Sequence, residues 1–330
     1  MSKNYQVYGI GNALVDYEFA VSESTLRQVG LEKGAMTLCE IHEQQELQDK
    51  LSHIDPKRAS GGSAANTLIA LAQFGGHSFY SCKVANDADG KFYYQDLLAA
   101  GVDSNVTATN RQLGTTGTCV VLITPDAERT MSTYLGITSD ISSSELVPEA
   151  LINSAWLYME GYLAPSPSGL EATLNARELA QQHGTRIALT LSDSSMVQYF
   201  RPQLDQMVGR GVDLLFCNET EAKLYTGCED IMEAGQVLRQ MSHAFVITRG
   251  ARGALLFDGR HFTTIQTPKV KAIDTNGAGD MFAGAFLYGI NNGMNYETAA
   301  SFACHASARL VTSFGPRFTQ EQAREVLQGF

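Results

Sequence analysis

With 330 residues, 44% of them hydrophobic and 18% charged, the chain has an ordinary globular composition. It can bury the core of one large α/β domain with an excursion, or of two domains. Its formal net charge of −11 argues against nucleic acid or anionic membrane as main partner, since both need a basic footprint, while an anionic small molecule is allowed where local donors gather. Six cysteines, Cys39, Cys82, Cys119, Cys217, Cys228 and Cys304, show no CxxC pair and no histidine at zinc spacing, so they read as small buried hydrophobes in a reducing compartment. The N-terminus has no apolar signal core and no apolar run reaches bilayer length, so a soluble, cytoplasmic protein is expected.

In chain order, a first strand is expected over 5–11, continuing through Asn12 and Ala13 into a second extended piece that ends at Val21. A polar helix over about 40–52 precedes GGSAANTLIALAQFGG, where Gly61 and Gly62 lead into a helix with apolar positions at Leu68, Leu71, Ala72 and Phe74. Beyond it strands and helices alternate. Strands are expected over 78–84, 155–160, 186–191, 212–216 and 243–248, and helices over 88–100, 168–183, 218–226, 230–241, 278–290, 296–312 and 319–328. Such alternation implies a mostly parallel sheet with helices on both faces.

Two stretches do not suit a βαβ unit. Residues 14–58 hold short extended pieces, and 106–137 contain TGTCVVLITPDAERTMSTYLG, a hairpin turning near 125–128. Both are assigned to a small second sheet standing off a large domain made of 1–13, 59–105 and 138–330. A mobile lid and a fixed edge extension fit this pattern equally. Apolar residues of that sheet, Val120, Leu122 and Met131, allow either a monomer or a homodimer.

The polar groups that interrupt these elements are the candidates for chemistry. In GNALVD, Asn12 and Asp16 can hydrogen-bond a polyhydroxyl ligand, or Asn12 can cap a turn. A dinucleotide fingerprint at Gly9 and Gly11 fails, because the third glycine is missing and the segment stays extended. Gly61, Gly62, Ser63 and Asn66 sit at a strand-to-helix junction, where they can grip a hydroxyl or where Ser63 can simply cap the helix. In NETEAKLY, Asn218 and Glu221 have capping-box spacing, and the carboxylate can alternatively hold the water shell of Mg2+. Thr248, Arg249 and Gly250 end a strand where open α/β sheets bind ligands, or form a plain type I′ hairpin turn. Arg129, at the lid tip, can swing onto a phosphate or stay solvated, and His305 lies inside the apolar SFACHASARLV, where a core role competes with a ligand role.

DTNGAGD, from Asp274 to Asp280, places a carboxylate and a glycine turn at the start of the apolar helix MFAGAFLYGI. Unpaired N–H groups and the helix dipole make such a start an anion site, while Asp280 could equally serve as an ordinary cap. The absence of bulk between Asn276 and Asp280, and the small residues Ala283, Gly284 and Ala285, suit a backbone that approaches a ligand and then packs tightly onto the sheet.

Taken in order, these segments resemble the ribokinase and adenosine kinase superfamily, the PfkB carbohydrate kinases, over nearly the whole chain from GNALVD to GPRF. GGSAANTLIALAQFGG is similar to the N-terminal signature and DTNGAGDMFAGAF to the C-terminal one. The resemblance implies a ribokinase-like α/β/α domain with a small β lid, and an ATP- and Mg2+-dependent kinase. It implies Asp280 as catalytic base, with Asn276, Gly277, Ala278 and Gly279 as anion hole and Arg129 reaching the phosphates. It further implies Asn12, Asp16, Gly61, Gly62, Ser63 and Asn66 around the acceptor, Asn218 and Glu221 as the magnesium and phosphate motif, and Thr248, Arg249 and Gly250 flanking ATP. Asp274, with backbone oxygens around 311–315, resembles the site of a monovalent cation such as K+ in some members.

DTNGAGD and the ACHASA segment, whose His305 would face the ATP base, resemble the nucleoside branch, while the lid sequence MSTYLG differs from that of animal adenosine kinases. A nucleoside kinase, adenosine first, is expected. Kinases of ribose, fructose or a related sugar are the alternative, and a non-catalytic nucleotide or sugar sensor is the rival from another class.

Overall fold

The computed structural model describes residues 3–330. A nine-stranded sheet runs in the order Phe262–Ile265, Ala254–Phe257, Ser242–Thr248, Val212–Asn218, Arg186–Thr190, Ser154–Glu160, Tyr5–Ile10, Ser78–Ser81 and Asp103–Ser104. Ala254–Phe257 pairs antiparallel with both of its neighbours, Phe262–Ile265 and Ser242–Thr248, and all the other pairs are parallel. Growth from Tyr5–Ile10 goes one way to Ser78–Ser81 and the other way to Ser154–Glu160. The strand order therefore reverses there, which opens a crevice at the carboxyl ends of the strands.

Period-two alternation sends neighbouring side chains into two cores. Val7, Trp156, Tyr158, Ala244 and Val246 pack under the helices Ser63–Gln73, Ala278–Asn291 and Tyr296–Leu310. Tyr8, Leu157, Met159, Phe245 and Ile247 pack under Pro167–His183 and its neighbours on the other face. Pro167–His183 shows why such helices start and stop where they do. The Ser166 hydroxyl accepts from the Gly169 N–H, Pro167 supplies a ready-made φ, and Gly184 ends the helix in the left-handed region. The main elements fall where periodicity places them, but four short helices, Glu23–Val29, Pro148–Ile152, Ser194–Tyr199 and Arg201–Val208, were not expected. Segments of five to eight residues hold too few turns to show a helical period.

A second, five-stranded sheet runs Met36–Leu38, Arg129–Tyr134, Gly117–Ile123, Leu14–Ala20 and Lys57–Gly61. The last strand pairs Gly61 with Leu14, so this sheet reaches three residues beyond the expected limit at 58. Its outer face carries Phe19, Val120 and Leu122 and is covered by Leu26, Leu47 and Leu51 from the helices Glu23–Val29 and Ile41–Lys50 and the turn that follows. The inner face looks into the crevice. All six cysteines are free; Cys82, Cys119, Cys217 and Cys304 are buried, whereas Cys39 and Cys228 are half-buried, short of the full burial expected of them. No helix among the described residues is long and apolar enough to cross a membrane.

Candidate active site

The crevice is a cleft of about 520 Å³ between the carboxyl ends of the large sheet and the inner face of the small one. It gathers Asn12, Asp16, Gly62, Ser63, Asn66, Arg129, Asn218, Glu221, Thr248, Arg249, Gly250 and the turn from Asn276 to Asp280. Residues from opposite ends of the sequence thus face one space, because most of them end a strand or start a helix on the same edge of the large sheet, while Asp16 and Arg129 reach in from the small one.

At one end of the cleft, Asp280 occupies the first turn of Ala278–Asn291. Its Oδ1 accepts the Ser63 hydroxyl at 2.6 Å and its Oδ2 the Asn66 amide at 3.4 Å. Ser63 is therefore not the helix cap that its position allows; Gly62 is, at φ 98°. A Cβ on Gly62 would stand 2.0 Å from the Asn12 carbonyl oxygen, so only glycine permits this approach. The two helices that carry Asp280 and Ser63 are pressed together by Gly284, whose Cβ would lie 2.4 Å from the Thr67 carbonyl oxygen. The expected packing partner was the sheet, and it is the helix Ser63–Gln73 instead. Burial pushes the Asp280 carboxyl up to about 6, against the opposing pull of Ser63, Arg129 and Asn66.

Asp16 lies over Gly61, where a Cβ would sit 2.2 Å from the carboxylate. Burial and the charge of Glu18 hold the Asp16 carboxyl well above the usual range, and among the described residues no hydrogen bond reaches it. Asn12 is bonded through its side-chain amide to the Tyr162 carbonyl at 3.1 Å. Glu160, fully buried and not singled out from the sequence, accepts the Asn12 N–H at 2.6 Å and the Ala64 N–H at 2.7 Å. It joins the segment after the first strand to the first turn of Ser63–Gln73, and burial pushes its carboxyl up to about 8.

The glycine turn is fixed from behind. Asp274, with 1% exposure, accepts the Asn276 N–H at 2.8 Å and the Gly315 N–H at 2.7 Å. Gly277 sits at φ 71°, and a Cβ there would be 2.7 Å from Pro316, whereas a Cβ on Gly279 meets open space. The first intrahelical bond runs from the Met281 N–H to the Gly277 carbonyl at 2.8 Å, and the Ala278 N–H turns back to the Thr275 carbonyl at 3.3 Å, so with the Asn276 N–H held by Asp274 the groups left for an anion are those of Gly277 and Gly279. The small sheet rests on this turn. Arg129, which opens a strand rather than tipping a loop, donates to Asn276 Oδ1 at 3.3 Å, and the Thr275 hydroxyl donates to the Ala127 carbonyl at 3.1 Å.

Towards the far end, Asn218 and Glu221 form the full capping box: Asn218 Oδ1 accepts the Glu221 N–H at 2.8 Å and Glu221 Oε2 accepts the Asn218 N–H at 3.0 Å. The Glu221 carboxyl, 3% exposed, is pushed up to about 7 by burial. Thr248–Gly250 do not make a type I′ turn. A single 3-10 turn, Gly250–Arg252, leads to the antiparallel strand Ala254–Phe257, and both Arg249 and Arg252 grip Glu219. Ser192, another residue that sequence reasoning missed, lines the cleft at φ 73°, a conformation that non-glycine residues rarely hold outside functional sites.

His305 is not brought to the cleft. On Tyr296–Leu310 its neighbours Cys304 and Ala306 turn into the core, while its ring, half-buried, faces that of Phe330 at 6.3 Å. Among the described residues no group of three or more His, Cys, Asp or Glu side chains could hold a metal. The donor set suits a hydrated ion that arrives on phosphates and needs one protein carboxylate, for which Glu221 is placed.

A profile of the pfkB family carbohydrate kinases matches residues 38–323. Adenosine kinase 2 of Arabidopsis thaliana is 26% identical, over 97% of this chain and 98% of its own. The ribokinase of Mus musculus is 28% identical, over 69% and 70%. Among solved structures, the adenosine kinase from Sinorhizobium meliloti superposes with a TM-score of 0.92 at 31% identity, covering 99% of both chains. A probable sugar kinase from Rhizobium etli CFN 42 gives 0.92 at 30%, again over 99% of both.

Proposed function

The chain belongs to the pfkB family of carbohydrate kinases, and from that premise we propose that it transfers the γ-phosphoryl group of ATP to the 5′-hydroxyl of a nucleoside, adenosine first. One observation carries the choice of acceptor. Beyond the polar end at Asn12, Asp16 and Asn66, the cleft is walled by Leu14, Met36, Leu38, Val121, Met131 and Leu135. Leu38 there is 50% exposed. A nucleobase would cover this apolar wall, whereas a free sugar would leave it bare.

In this reading Asn12, Asp16 and Asn66 hold the ribose hydroxyls. Asp280 takes the proton of the 5′-hydroxyl as its oxygen attacks the γ-phosphorus, the bond to the β–γ bridging oxygen breaks, and ADP leaves. A carboxyl raised to about 6 is still ionised at neutral pH and is a better base than an ordinary aspartate. The N–H groups of Gly277 and Gly279 in the Asn276 to Gly279 turn, with Arg129, would face the charge that spreads over the transferring group. Asn218 and Glu221 would hold the water shell of Mg2+, which neutralises phosphate charge. Thr248, Arg249 and Gly250 would flank the nucleotide.

The small sheet acts as a lid, seated through Arg129 and Thr275. With its outer face covered by two helices and its inner face lining the cleft, a monomer is favoured over a dimer built on the faces of this sheet. A monovalent cation such as K+ would sit beside Asp274 and the backbone oxygens of 311–315; unchanged turnover when tetramethylammonium replaces K+ removes it.

The acceptor is tested by ADP release with adenosine, inosine, guanosine, ribose and fructose. Adenosine is expected to give the highest kcat/KM. Turnover with a free sugar and none with a nucleoside would install the second reading, a sugar kinase, which the similarity to ribokinase and to a probable sugar kinase supports.

A further inference from the structure

Glu18 lies on Leu14–Ala20 of the small sheet, two residues past Asp16, so its side chain shares that face. It is 1% exposed. Its Oε1 accepts the Asn276 side-chain amide at 2.8 Å, while Oε2 is buried without a partner among the described residues. The other end of the same amide, Oδ1, accepts Arg129 at 3.3 Å. Both holds on the Asn276 side chain therefore come from the small sheet, while Asp274 holds its backbone N–H, and Asn276 itself belongs to the glycine turn of the large domain. A carboxylate stripped of water is an unfavourable way to fasten a buried amide, and a neutral side chain would hold the sheet as well. Its placement is better suited to fixing the turn.

We propose that Glu18 is a positioning residue for phosphoryl transfer: with Arg129 it clamps the Asn276 amide, so the anion-binding turn reaches its working geometry only while the small sheet is seated. The inference rests on the proposed role of the Asn276 to Asp280 turn. Glu18 is not among the residues that line the cleft and reaches the turn through Asn276; its charge also bears on the Asp16 carboxyl, an effect that Glu18→Gln removes as Glu18→Ala does, so a loss seen in Glu18→Ala and spared in Glu18→Gln belongs to the clamp.

The test uses the full chain with ATP and the best acceptor of the panel. Glu18→Ala is expected to lower kcat roughly 10- to 100-fold, the scale of a displaced catalytic group, with KM for the acceptor little changed. Glu18→Gln, which keeps an acceptor oxygen for the amide, is expected to retain most of kcat. In an Asn276→Ala background, Glu18→Ala is expected to have no further effect. A Glu18→Ala enzyme with unchanged kcat, or with the same loss in both backgrounds, overturns the proposal. Should Glu18→Ala not fold, Glu18→Ser, too short to reach the amide, carries the same expectations. Asp280→Asn separates the two readings: if it stays active the kinase assignment of the turn fails, whereas an inactive Asp280→Asn beside a fully active Glu18→Ala fails the clamp alone.

Discussion

The Ser63 hydroxyl donates to Asp280 Oδ1 at 2.6 Å, joining the first residue of one helix to the first turn of another across 217 positions of sequence. The bond leaves the carboxylate oriented, with lone pairs still free towards the cleft. It also opposes the upward push of burial on the Asp280 carboxyl.

Replacing Asp280 by Asn is expected to lower kcat on the order of 10²- to 10⁴-fold, the usual contribution of a positioned base. ATP binding and the folded state should persist, because Asn still offers Ser63 an acceptor. Steady-state kinetics with nucleotide titration would check this, and near-normal turnover would remove Asp280 from the chemistry.

The raised Asp280 carboxyl gives two pH signatures. The base works ionised, so kcat/KM should fall as the pH drops through about 6. The folded protein also binds this proton more tightly than the unfolded chain. The stability contributed by the carboxyl is therefore present below the ordinary aspartate range and lost as pH rises through about 6. Asp280→Asn should melt above the parent protein at pH 8, with the gap closing towards pH 4. A gap that widens on acidification would contradict this assignment.

Gly277 and Gly279 should respond differently to alanine. At Gly277, φ 71° and the contact with Pro316 make Gly277→Ala costly, by about 1–3 kcal/mol. A Cβ on Gly279 enters open space within a helical turn, so Gly279→Ala should fold with unchanged or higher Tm and yet lose turnover, if a phosphoryl group is what must fit there. A fully active Gly279→Ala would place the transferring group elsewhere.

Glu160 accepts two backbone N–H groups, one from Asn12 after the first strand and one from Ala64 in the first turn of Ser63–Gln73. Glu160→Gln turns an NH2 group towards one of those donors and should cost roughly 1–3 kcal/mol of stability. The acceptor KM should rise more than kcat falls, since Asn12 shifts while Asp280 does not. Melting curves and kinetics read the two effects separately, and an unchanged Tm and KM would show that neither segment depends on this carboxylate.

Local patterns in the sequence predicted well where the interaction is local. The capping box of Asn218 and Glu221 spans three positions, and the left-handed turn at Gly277 is written in DTNGAGD itself. Ser63 was ambiguous because its capping role is local and its actual partner is not. His305 was drawn towards the nucleotide by resemblance, whereas the packing of its helix turns it to Phe330. Glu18, Glu160 and Arg317 gave no signal. Each is an isolated polar residue whose partner lies far along the chain; Arg317 reaches Asn66, Asp96 and Ser60.

What the sequence determined alone was the alternation that builds a parallel sheet, the small excursion, and a glycine turn beside an acid, because periodicity and backbone conformation are properties of neighbouring residues. Only the tertiary structure decided which face of the small sheet turns to the cleft, that apolar side chains line the cleft beside Asp16, and that Glu18 and Arg129 meet on one amide. Those relations depend on how two sheets pack against each other, and no local period encodes the distance between them.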